Sequence, residues 1–330
     1  MDTTRYSIRP FVRADFVAQA RLDDLHDPGF APSAEEHEHW EAAEAVRPGH
    51  FKKKFAVDDR RSGAFVAYAE LTHTSFNYHP HKYWIGAYVD PTFQGQGIGT
   101  ELYTLLEREA VDRGAIVLWT DVREGDAPAE RFYARHGFAT LRRTWRSRLD
   151  VARANLSAFP DRSAEWAKQG IRLTTLAAEG IERPEVRHRL YRLSDAASAD
   201  VPRVGEYSPI SFEQFVQIDL EAPGVVPEAY FLAAHGEQYV GMTILSREQP
   251  RPDSLHVGFT GTHPDFRGRG IASELKRRAV EYARDHGVRY LVTNNDSLNR
   301  PIWAINQKLG FQPMVTWLLG EKSLGAPRTP

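Results

Sequence analysis

The sequence of 330 residues contains no cysteine, and this absence excludes several kinds of chemistry. A chain without thiols forms no disulfide, offers no thiolate nucleophile and builds no cysteine-ligated zinc site. An excess of charge of one sign is also missing, because 42 Lys and Arg stand against 44 Asp and Glu. The net charge of −2 does not favour nucleic acid or an anionic membrane surface as the principal partner. We therefore expect a neutral or mixed small-molecule partner.

Long apolar stretches are absent as well. The sequence has no run of about 18 apolar residues, the length that a membrane-spanning helix requires. Its opening segment, MDTTRYSIRP, lacks the basic region and the apolar stretch of a signal peptide. These two observations predict a cytoplasmic protein. The length, at about 150 residues per domain, predicts two compact domains.

The chain contains the same glycine-rich turn twice. VDPTFQGQGIGTELY occupies residues 89–103, and THPDFRGRGIASELK occupies residues 262–276. The alignment of 89–138 with 262–311 needs no gap and gives fifteen identities in fifty positions. Before each turn, short apolar segments alternate with turn signals and predict antiparallel strands. We therefore predict an α/β fold with two similar domains, 1–150 and 170–330, joined by a polar helical connector at 151–169.

A helix is predicted after each turn. Ile98, Leu102 and Leu106 form one apolar face in the first copy, and Ile271 and Leu275 begin a similar face in the second. The glycines before each helix let backbone N–H groups approach a ligand closely, and the helix dipole adds partial positive charge. Such a loop binds anions, and pyrophosphate is the natural ligand.

Two other phosphate-binding motifs compete with this interpretation. The turn fits the weak dinucleotide pattern GxGxxG, with Asp121 near the end of the next strand. However, the preceding strand ends near Val89 instead of running into the turn, and the second copy has Thr293 and Asn294 where a ribose-binding acid would lie. A P-loop is excluded because no GK[ST] follows the glycines.

The turn resembles the acyl-CoA signature [QR]-x-x-G-x-[GA] of the GNAT acyltransferase superfamily, here at 94–99 and 267–272. In both copies a strand and an x-x-Pro step precede the turn, and a helix ending in Gly-Phe follows, FYARHGF and INQKLGF. The resemblance covers nearly the whole of both halves. It implies two fused acyltransferase domains, each a mixed, mostly antiparallel twisted sheet that opens into a V where acyl-CoA enters.

The resemblance implies acetyl-CoA as the co-substrate, held by each turn and by the strand before it. In the first half the implied residues are Ala87, Tyr88, Val89, Gln94, Gly95, Gln96, Gly97, Ile98, Gly99, Thr100 and Asp126. In the second half they are Thr260, Gly261, Thr262, Arg267, Gly268, Arg269, Gly270, Ile271, Ala272, Ser273 and Asn299. The backbone amide of Val89 or Thr262 should stabilise the oxyanion that forms during acyl transfer. Asn299 matches a family Asn that bonds the CoA arm, whereas Asp126 adds a charge there.

The two halves differ at the positions that the resemblance assigns to proton transfer. Tyr133 matches the family's proton donor, but the second half has Asn306, which cannot act as a general acid. His256 is the candidate base of the second half, and its even spacing from Thr262 puts both on one sheet face if no bulge intervenes. Glu70 and Asp121 are the candidate bases of the first half. Simple packing is the alternative role for Tyr133 and His256.

Three further segments bear on ligands. His73, His79 and His81 share one loop, which specifies no common geometry, so no metal site is predicted. The acidic tract 35–45 is either a solvated helix face or a wall that attracts a cationic substrate. The loops 27–49 and 195–211 are expected to hold the acceptor.

The sequence thus predicts an acetyl-CoA-dependent N-acetyltransferase that acts on the primary amine of a small molecule by direct transfer. We expect a monomer or homodimer without nucleic acid, membrane or metal. A CoA-binding sensor in which one or both halves lack turnover stays open, as does an acyltransferase for a protein or hydroxyl acceptor.

Overall fold

The computed structural model describes residues 1–247 and 251–325, and it divides the chain into two compact units. The first unit contains Met1–Leu141 together with the segment that begins at Leu318. The second unit contains Arg142–Trp317. Each has its own apolar core and its own glycine-rich turn.

The N-terminal half alternates strands and helices in the predicted order. Its elements are β1 (Tyr6–Pro10), α1 (Phe16–His26), α2 (Ala34–Ala45), β2 (Lys52–Asp59), β3 (Phe65–Thr72), β4 (Lys82–Val89), α3 (Ile98–Asp112), β5 (Val117–Arg123), α4 (Ala127–Arg135) and β6 (Ala139–Asp150). The acidic tract forms most of α2, which begins with a capping box between Ser33 and Glu36.

The C-terminal half repeats this order with more helix before the strands. Its elements are α5 (Ser163–Lys168), β7 (Ile171–Thr175), α6 (Leu176–Glu179), α7 (Pro184–Ser198), α8 (Phe212–Phe215), β8 (Val225–His235), β9 (Gln238–Arg247), β10 (Ser254–Thr262), α9 (Ile271–Asp285), β11 (Tyr290–Asp296), α10 (Arg300–Leu309) and β12 (Gln312–Ser323). A π-helical turn, Val216–Leu220, follows α8. The predicted helical connector contains the short helix α5 and two 3-10 turns.

The sheet of the first unit has the order β1-β2-β3-β4-β5-β12. Strands β1 to β4 are antiparallel, whereas β4 and β5 are parallel. The parallel pairing begins at Lys82 and ends at Trp84, which lies opposite Trp119. Residues 85–89 of β4 therefore leave β5, and the sheet opens into the predicted V.

The sheet of the second unit has the order β6-β11-β10-β9-β8-β7 and opens in the same way. Its parallel pairing between β10 and β11 ends at His256, opposite Val292. The strand β10 differs from β4 in one respect. It contains a bulge between Val257 and Thr260, because three steps along β10 correspond to two along β9.

Each unit is completed by a strand from the other half of the sequence. From Arg142 onward, β6 belongs to the second unit, where it pairs with β11 from Thr144 to Asp150. From Leu318 onward, β12 belongs to the first unit and lies beside β5. The compact units therefore differ from the predicted domain boundaries, which follow the repeat. An alternating strand pattern shows which face is buried but does not show which strand is the neighbour.

The apolar faces predicted for α3 and α9 are buried against the sheets. Ile98, Leu102 and Leu106 are buried in the first unit, as are Ile271 and Leu275 in the second. The α/β fold prediction is confirmed in both units. Within the described residues no helix combines the length and apolar character that crossing a bilayer needs.

Candidate active site

The two glycine-rich loops have nearly the same backbone conformation. Gly95 and Gly97 have φ of +75° and +78°, and Gly268 and Gly270 have φ of +74° and +82°. Residues with a Cβ rarely adopt this region, so the turn requires glycine. A Cβ on Gly270 would lie 3.0 Å from Arg162 Nη1. The loops thus bring bare backbone to the start of each helix.

The helix starts leave backbone donors available for an anion. The bond from Glu101 N–H to Gly97 O is the first of α3, and the bond from Glu274 N–H to Gly270 O is the first of α9. The amides before Glu101 and Glu274 therefore have no acceptor in their own helix. Together with the glycine backbone they form a cradle of the kind that binds phosphate groups.

The first residue of each signature ties the loop to the strand before it. Gln94 Nε2 donates to Val89 O at 3.3 Å, and Arg267 Nε donates to Thr262 O at 3.1 Å. Arg267 also forms an ion pair with Asp200. These side chains, which we expected to contact CoA, hold the backbone of the loop in the structure.

The strand ends direct their amides to the open edge of each sheet. Asp90 N–H donates to Val66 O and His263 N–H donates to Val240 O, both at 2.9 Å. Successive residues of a strand direct their amides to opposite sides. The N–H group of Val89 therefore points away from β3, and the N–H group of Thr262 points away from β9. These are the two amides that sequence reasoning selected for the thioester oxygen.

In the first unit, Tyr133 reaches the open edge from α4. Burial raises the pKa of Tyr133, whereas hydrogen bonding by the Thr120 side chain and by the Ala87 backbone lowers it. The hydroxyl group therefore lies next to the part of β4 that has left β5. The position of Tyr133 suits a proton donor at the V.

Two carboxylates reach the same opening from the other sheet face. Glu70 pairs with Gly86 across β3 and β4, and Asp121 shares a face with Trp119, which lies opposite Trp84. Burial, and then the charge of Glu70, raises the pKa of Asp121. Part of the surface of Asp121 is exposed to solvent, as expected for a residue in the wall of a cleft. The structure thus brings together Tyr133, Glu70 and Asp121, whose catalytic roles remain predictions.

Lys52 partly neutralises the negative charge of Glu70 and of two nearby carboxylates on α2. Lys52 Nζ lies 3.4 Å from Glu41 and Glu44 and 3.7 Å from Glu70. Burial lowers the pKa of Lys52, but the carboxylates of Glu70, Glu44 and Glu41 raise it more. Burial also raises the pKa of Glu44. The acidic tract of α2 thus places two of its carboxylates, Glu41 and Glu44, against a half-buried lysine.

Two aromatic side chains line the same face: Tyr88, which was expected to contact CoA, and Tyr68, which sequence reasoning did not select. The Tyr88 ring stacks on Tyr68 with centroids 4.7 Å apart, and the Tyr68 hydroxyl donates to Asp23 at 2.6 Å. His37 Nε2 lies 2.9 Å from the second oxygen of Asp23. The network joins α1 and α2 to β3 and β4. Its residues are 14 to 65 positions apart in the sequence, so no local motif marks it.

His256 does not share a face with Thr262, because the bulge intervenes. His256 lies opposite Ser246, and Gly261 lies opposite Met242, two positions on the same face of β9. The extra residue in β10 thus moves Thr262 to the other face. Burial, followed by the charges of Arg251, Arg146 and Lys276, lowers the pKa of His256 to about 4. The imidazole is neutral at pH 7 and only weakly basic.

Asn306 occupies the position of Tyr133 but is buried in a structural network. Its Nδ2 donates to Asn295 Oδ1 at 2.7 Å, and Asn295 in turn donates to Trp145 O at 3.2 Å. Asp126 also has a structural role, because its carboxylate accepts the N–H of Ala129 and caps α4. Asn299 immediately precedes α10, and its side chain makes no such capping bond.

The histidine-rich loop of the first unit is packed. The His73 ring stacks on Tyr83 with centroids 4.3 Å apart, and His73 Nδ1 accepts the N–H of Phe51. His79 Nδ1 accepts the N–H of His81. Throughout residues 1–247 and 251–325, no three His, Asp or Glu side chains are arranged to hold a metal ion.

The chain is similar to known acetyltransferases over most of its length. The acetyltransferase (GNAT) family model matches residues 17–138 and 190–311. The mycothiol acetyltransferase of Thermobifida fusca is 28% identical over 238 residues, which are 68% of this chain and 69% of that protein. The [ribosomal protein bS18]-alanine N-acetyltransferase of Salmonella typhimurium is 35% identical over 95 residues, covering 28% of this chain and 58% of that protein.

Solved structures show the same fold. A tandem GNAT protein from the clavulanic acid biosynthesis pathway has a TM-score of 0.74 at 20% identity, covering 98% of this chain and all of that one. A GCN5-related N-acetyltransferase from Sphaerobacter thermophilus has a TM-score of 0.68 at 23% identity, covering 99% and 98%. The predicted family is confirmed: the chain belongs to the acetyltransferase (GNAT) family and contains its fold twice.

Proposed function

We propose that this protein transfers an acetyl group directly from acetyl-CoA to the primary amine of a small molecule, and that the first unit is the principal catalyst. The observation that carries this proposal is the meeting of Tyr133, Asp121 and Glu70 at the open edge of β4. An acid and two carboxylates from opposite sheet faces flank a free backbone amide there.

Each residue has a separate task in the proposed reaction. Bound acetyl-CoA would supply an acetyl thioester. The Val89 amide stabilises negative charge on the carbonyl oxygen. Asp121 or Glu70 accepts the proton of the amine, directly or through one water, and the raised pKa of Asp121 makes it a better base near neutral pH. Tyr133 donates a proton to the departing sulfur.

Two features support a small amine as the acceptor. Relatives that align over about two thirds of their length are named mycothiol acetyltransferases. The cleft of the first unit is lined by Glu70, Asp121 and Glu44, which attract an ammonium group, and by the stacked rings of Tyr68 and Tyr88.

The test is the release of CoA thiol in the presence of a panel of amines that includes amino acids, polyamines and amine-bearing antibiotics. Measurements on Gly97→Val and Gly270→Val variants assign the activity to one unit. Amine-dependent release that survives Gly270→Val and is lost in Gly97→Val supports the proposal. Release that is lost only in Gly270→Val contradicts the assignment to the first unit.

A second candidate function concerns the second unit alone. It retains the loop and the free Thr262 amide, but Asn306 is buried against Asn295 where the first unit has its acid. This unit would then bind CoA with little or no turnover. Two CoA sites by calorimetry, with turnover at only one, would support this division of labour.

A further inference from the structure

We infer that His26 is the residue of the first unit that first accepts the proton of the acceptor amine. The inference rests on the proposed function and assigns its proton transfer to one side chain. His26 is the last residue of α1 and stands 63 positions before Val89, so sequence reasoning did not select it. The fold brings it to the open edge of β4.

The carbonyl group of Val89 faces this open edge. In an antiparallel strand each residue directs its N–H and C=O to the same side, and successive residues alternate. Asp90 N–H donates to Val66 O on β3, so both groups of Val89 point away from β3. His26 Nε2 lies 3.1 Å from Val89 O. The imidazole therefore meets the strand at the residue whose amide is proposed to stabilise the oxyanion.

The bond to Val89 determines which imidazole nitrogen is free. A carbonyl oxygen only accepts, so Nε2 carries the hydrogen, and the neutral ring has its lone pair on Nδ1. This Nδ1 makes no hydrogen bond with any residue that the structure describes. His26 is partly exposed, so an amine can approach it. An imidazole that is held through one nitrogen and offers the other is arranged as a general base.

The ring of Tyr88 connects His26 with the carboxylates of the same face. The two rings meet edge to face with centroids 6.0 Å apart. At the other end of Tyr88, a Cβ on Gly86 would lie 3.2 Å from the hydroxyl oxygen. Burial, and then the charges of Asp121 and Glu70, raises the pKa of Tyr88. The ring thus extends from the imidazole to the carboxylates.

The position along β4 favours the imidazole as the first proton acceptor. Glu70 lies opposite Gly86, which is three residues, or about 10 Å, along the strand from Val89. His26 contacts Val89 itself. The proton therefore reaches Nδ1 first, and the carboxylates receive it afterwards through water.

The proton transfers balance with the bonds that form and break. The amine nitrogen bonds to the acetyl carbon, and its proton passes to His26 Nδ1. The carbon–sulfur bond breaks, and Tyr133 gives its proton to the sulfur. The imidazolium keeps the Nε2 hydrogen on Val89 O and releases the new proton through water, while Tyr133 regains one from solvent. Nitrogen has then exchanged one proton for the acetyl group, and sulfur the reverse.

The experiment separates a basic nitrogen from a structural contact. His26→Gln keeps an N–H donor near the position of Nε2, so it can still hold Val89 O, but an amide is not a base. In a Gly270→Val background we expect it to lower kcat by about 10²-fold or more with the best amine from the panel. CoA affinity, measured by calorimetry, should be unchanged.

Chemical rescue gives a second measurement. His26→Ala should lose as much activity, and added imidazole should restore part of it, because the free ring fits the vacated space. Imidazole should not restore His26→Gln, whose side chain fills that space. His286→Gln is the control, because it removes an exposed imidazole that also contacts a backbone carbonyl, Tyr282 O. It should keep full kcat, and melting curves verify that each variant is folded.

Full activity of His26→Gln would overturn the inference, because the imidazole would then only hold Val89. Activity that imidazole does not restore in His26→Ala would also contradict a basic role. These outcomes leave the proposed function intact, since CoA release still depends on the amine. An absence of CoA release with every amine would instead contradict the proposed function, and this inference with it.

Discussion

The indole N–H of Trp119 donates a hydrogen bond of 2.9 Å to the carboxylate of Glu321, a residue 202 positions later in the chain. Trp119 is buried in β5 at the last pair before β4 and β5 separate. Glu321 lies on the part of β12 that completes the first unit. This hydrogen bond fixes Trp119 at the bottom of the first cleft through a residue from the opposite half of the sequence.

Substitution of Tyr133 tests the proposed acid. In a Gly270→Val background, Tyr133→Phe should lower kcat by about 10²-fold or more, because the ring stays packed while the proton donor is lost. Steady-state kinetics with the best amine from the panel measure the effect. Tyr282→Phe, on α9 of the second unit, is the control and should leave kcat unchanged. Full activity of Tyr133→Phe would show that Tyr133 is not the proton donor.

The loop glycines should control CoA stoichiometry. Gly97→Val and Gly270→Val each place a branched side chain at a φ near +80° and over the amide cradle, so each should remove one of two CoA sites. Calorimetry counts the sites.

Matched controls separate this effect from backbone strain. Gly63→Val and Gly236→Val carry the same substitution at φ of +72° and +57° in hairpins, with no atom within 4 Å of the new Cβ. They should lose stability but keep two sites. A wild-type protein with one CoA site would show that one loop no longer binds.

The buried His73 should make stability depend on pH. Burial, and then the nearby His50, lowers the pKa of His73 to about 4, below the ordinary value of 6.5. The folded state therefore binds fewer protons than the unfolded state between these values. The stability is fully present above pH 6.5 and is lost as the pH falls toward 4, by roughly 2 to 3 kcal/mol.

Urea denaturation at several pH values measures this dependence. His73→Phe should reduce the slope between pH 6.5 and 4.5, because the substitution removes one of the groups that titrate there, while His50 and His256 remain. His188→Phe, at an exposed position, should not. An unchanged slope in His73→Phe would show that other groups cause the acid sensitivity.

Lys276 is a buried cation without a carboxylate partner among the described residues. Its side chain is 2% exposed, its Nζ lies 5.7 Å from the Phe311 ring, and burial lowers its pKa to about 7. The folded pKa lies below the unfolded value of 10.5, so stability is lost as the pH falls from about 10 through 7.

Replacement of this lysine should stabilise the fold. Lys276→Met keeps the length and removes the buried charge, so the free energy of unfolding at pH 6 should rise on the order of 3 kcal/mol. The gain should shrink toward pH 10. Lys168→Met, at an exposed site, is the control. A destabilised Lys276→Met protein would indicate that a ligand or water compensates the ammonium.

The sequence by itself determined the features that depend on local chemistry. The glycines at 95, 97, 268 and 270 predict loops in which the backbone can approach a ligand closely, and in the structure all four have a positive φ, which only glycine adopts without strain. The helix faces at Ile98 and Ile271 followed from their spacing. The repeat of these signals also gave the family. Tyr133, Glu70 and Asp121 were selected from sequence, and the structure brings them to one opening.

Tertiary structure alone decided the features that depend on strand partners. The bulge in β10, which separates His256 from the face of Thr262, has no sequence signature here, because one extra residue changes the face without changing the pattern. The exchange of β6 and β12 between the units could also not be predicted from the sequence, since the edge of a sheet accepts any strand with a suitable apolar face. That exchange delivers Arg146 to one cleft and Glu321 to the other. Each unit therefore contains charged side chains that come from the opposite half of the chain.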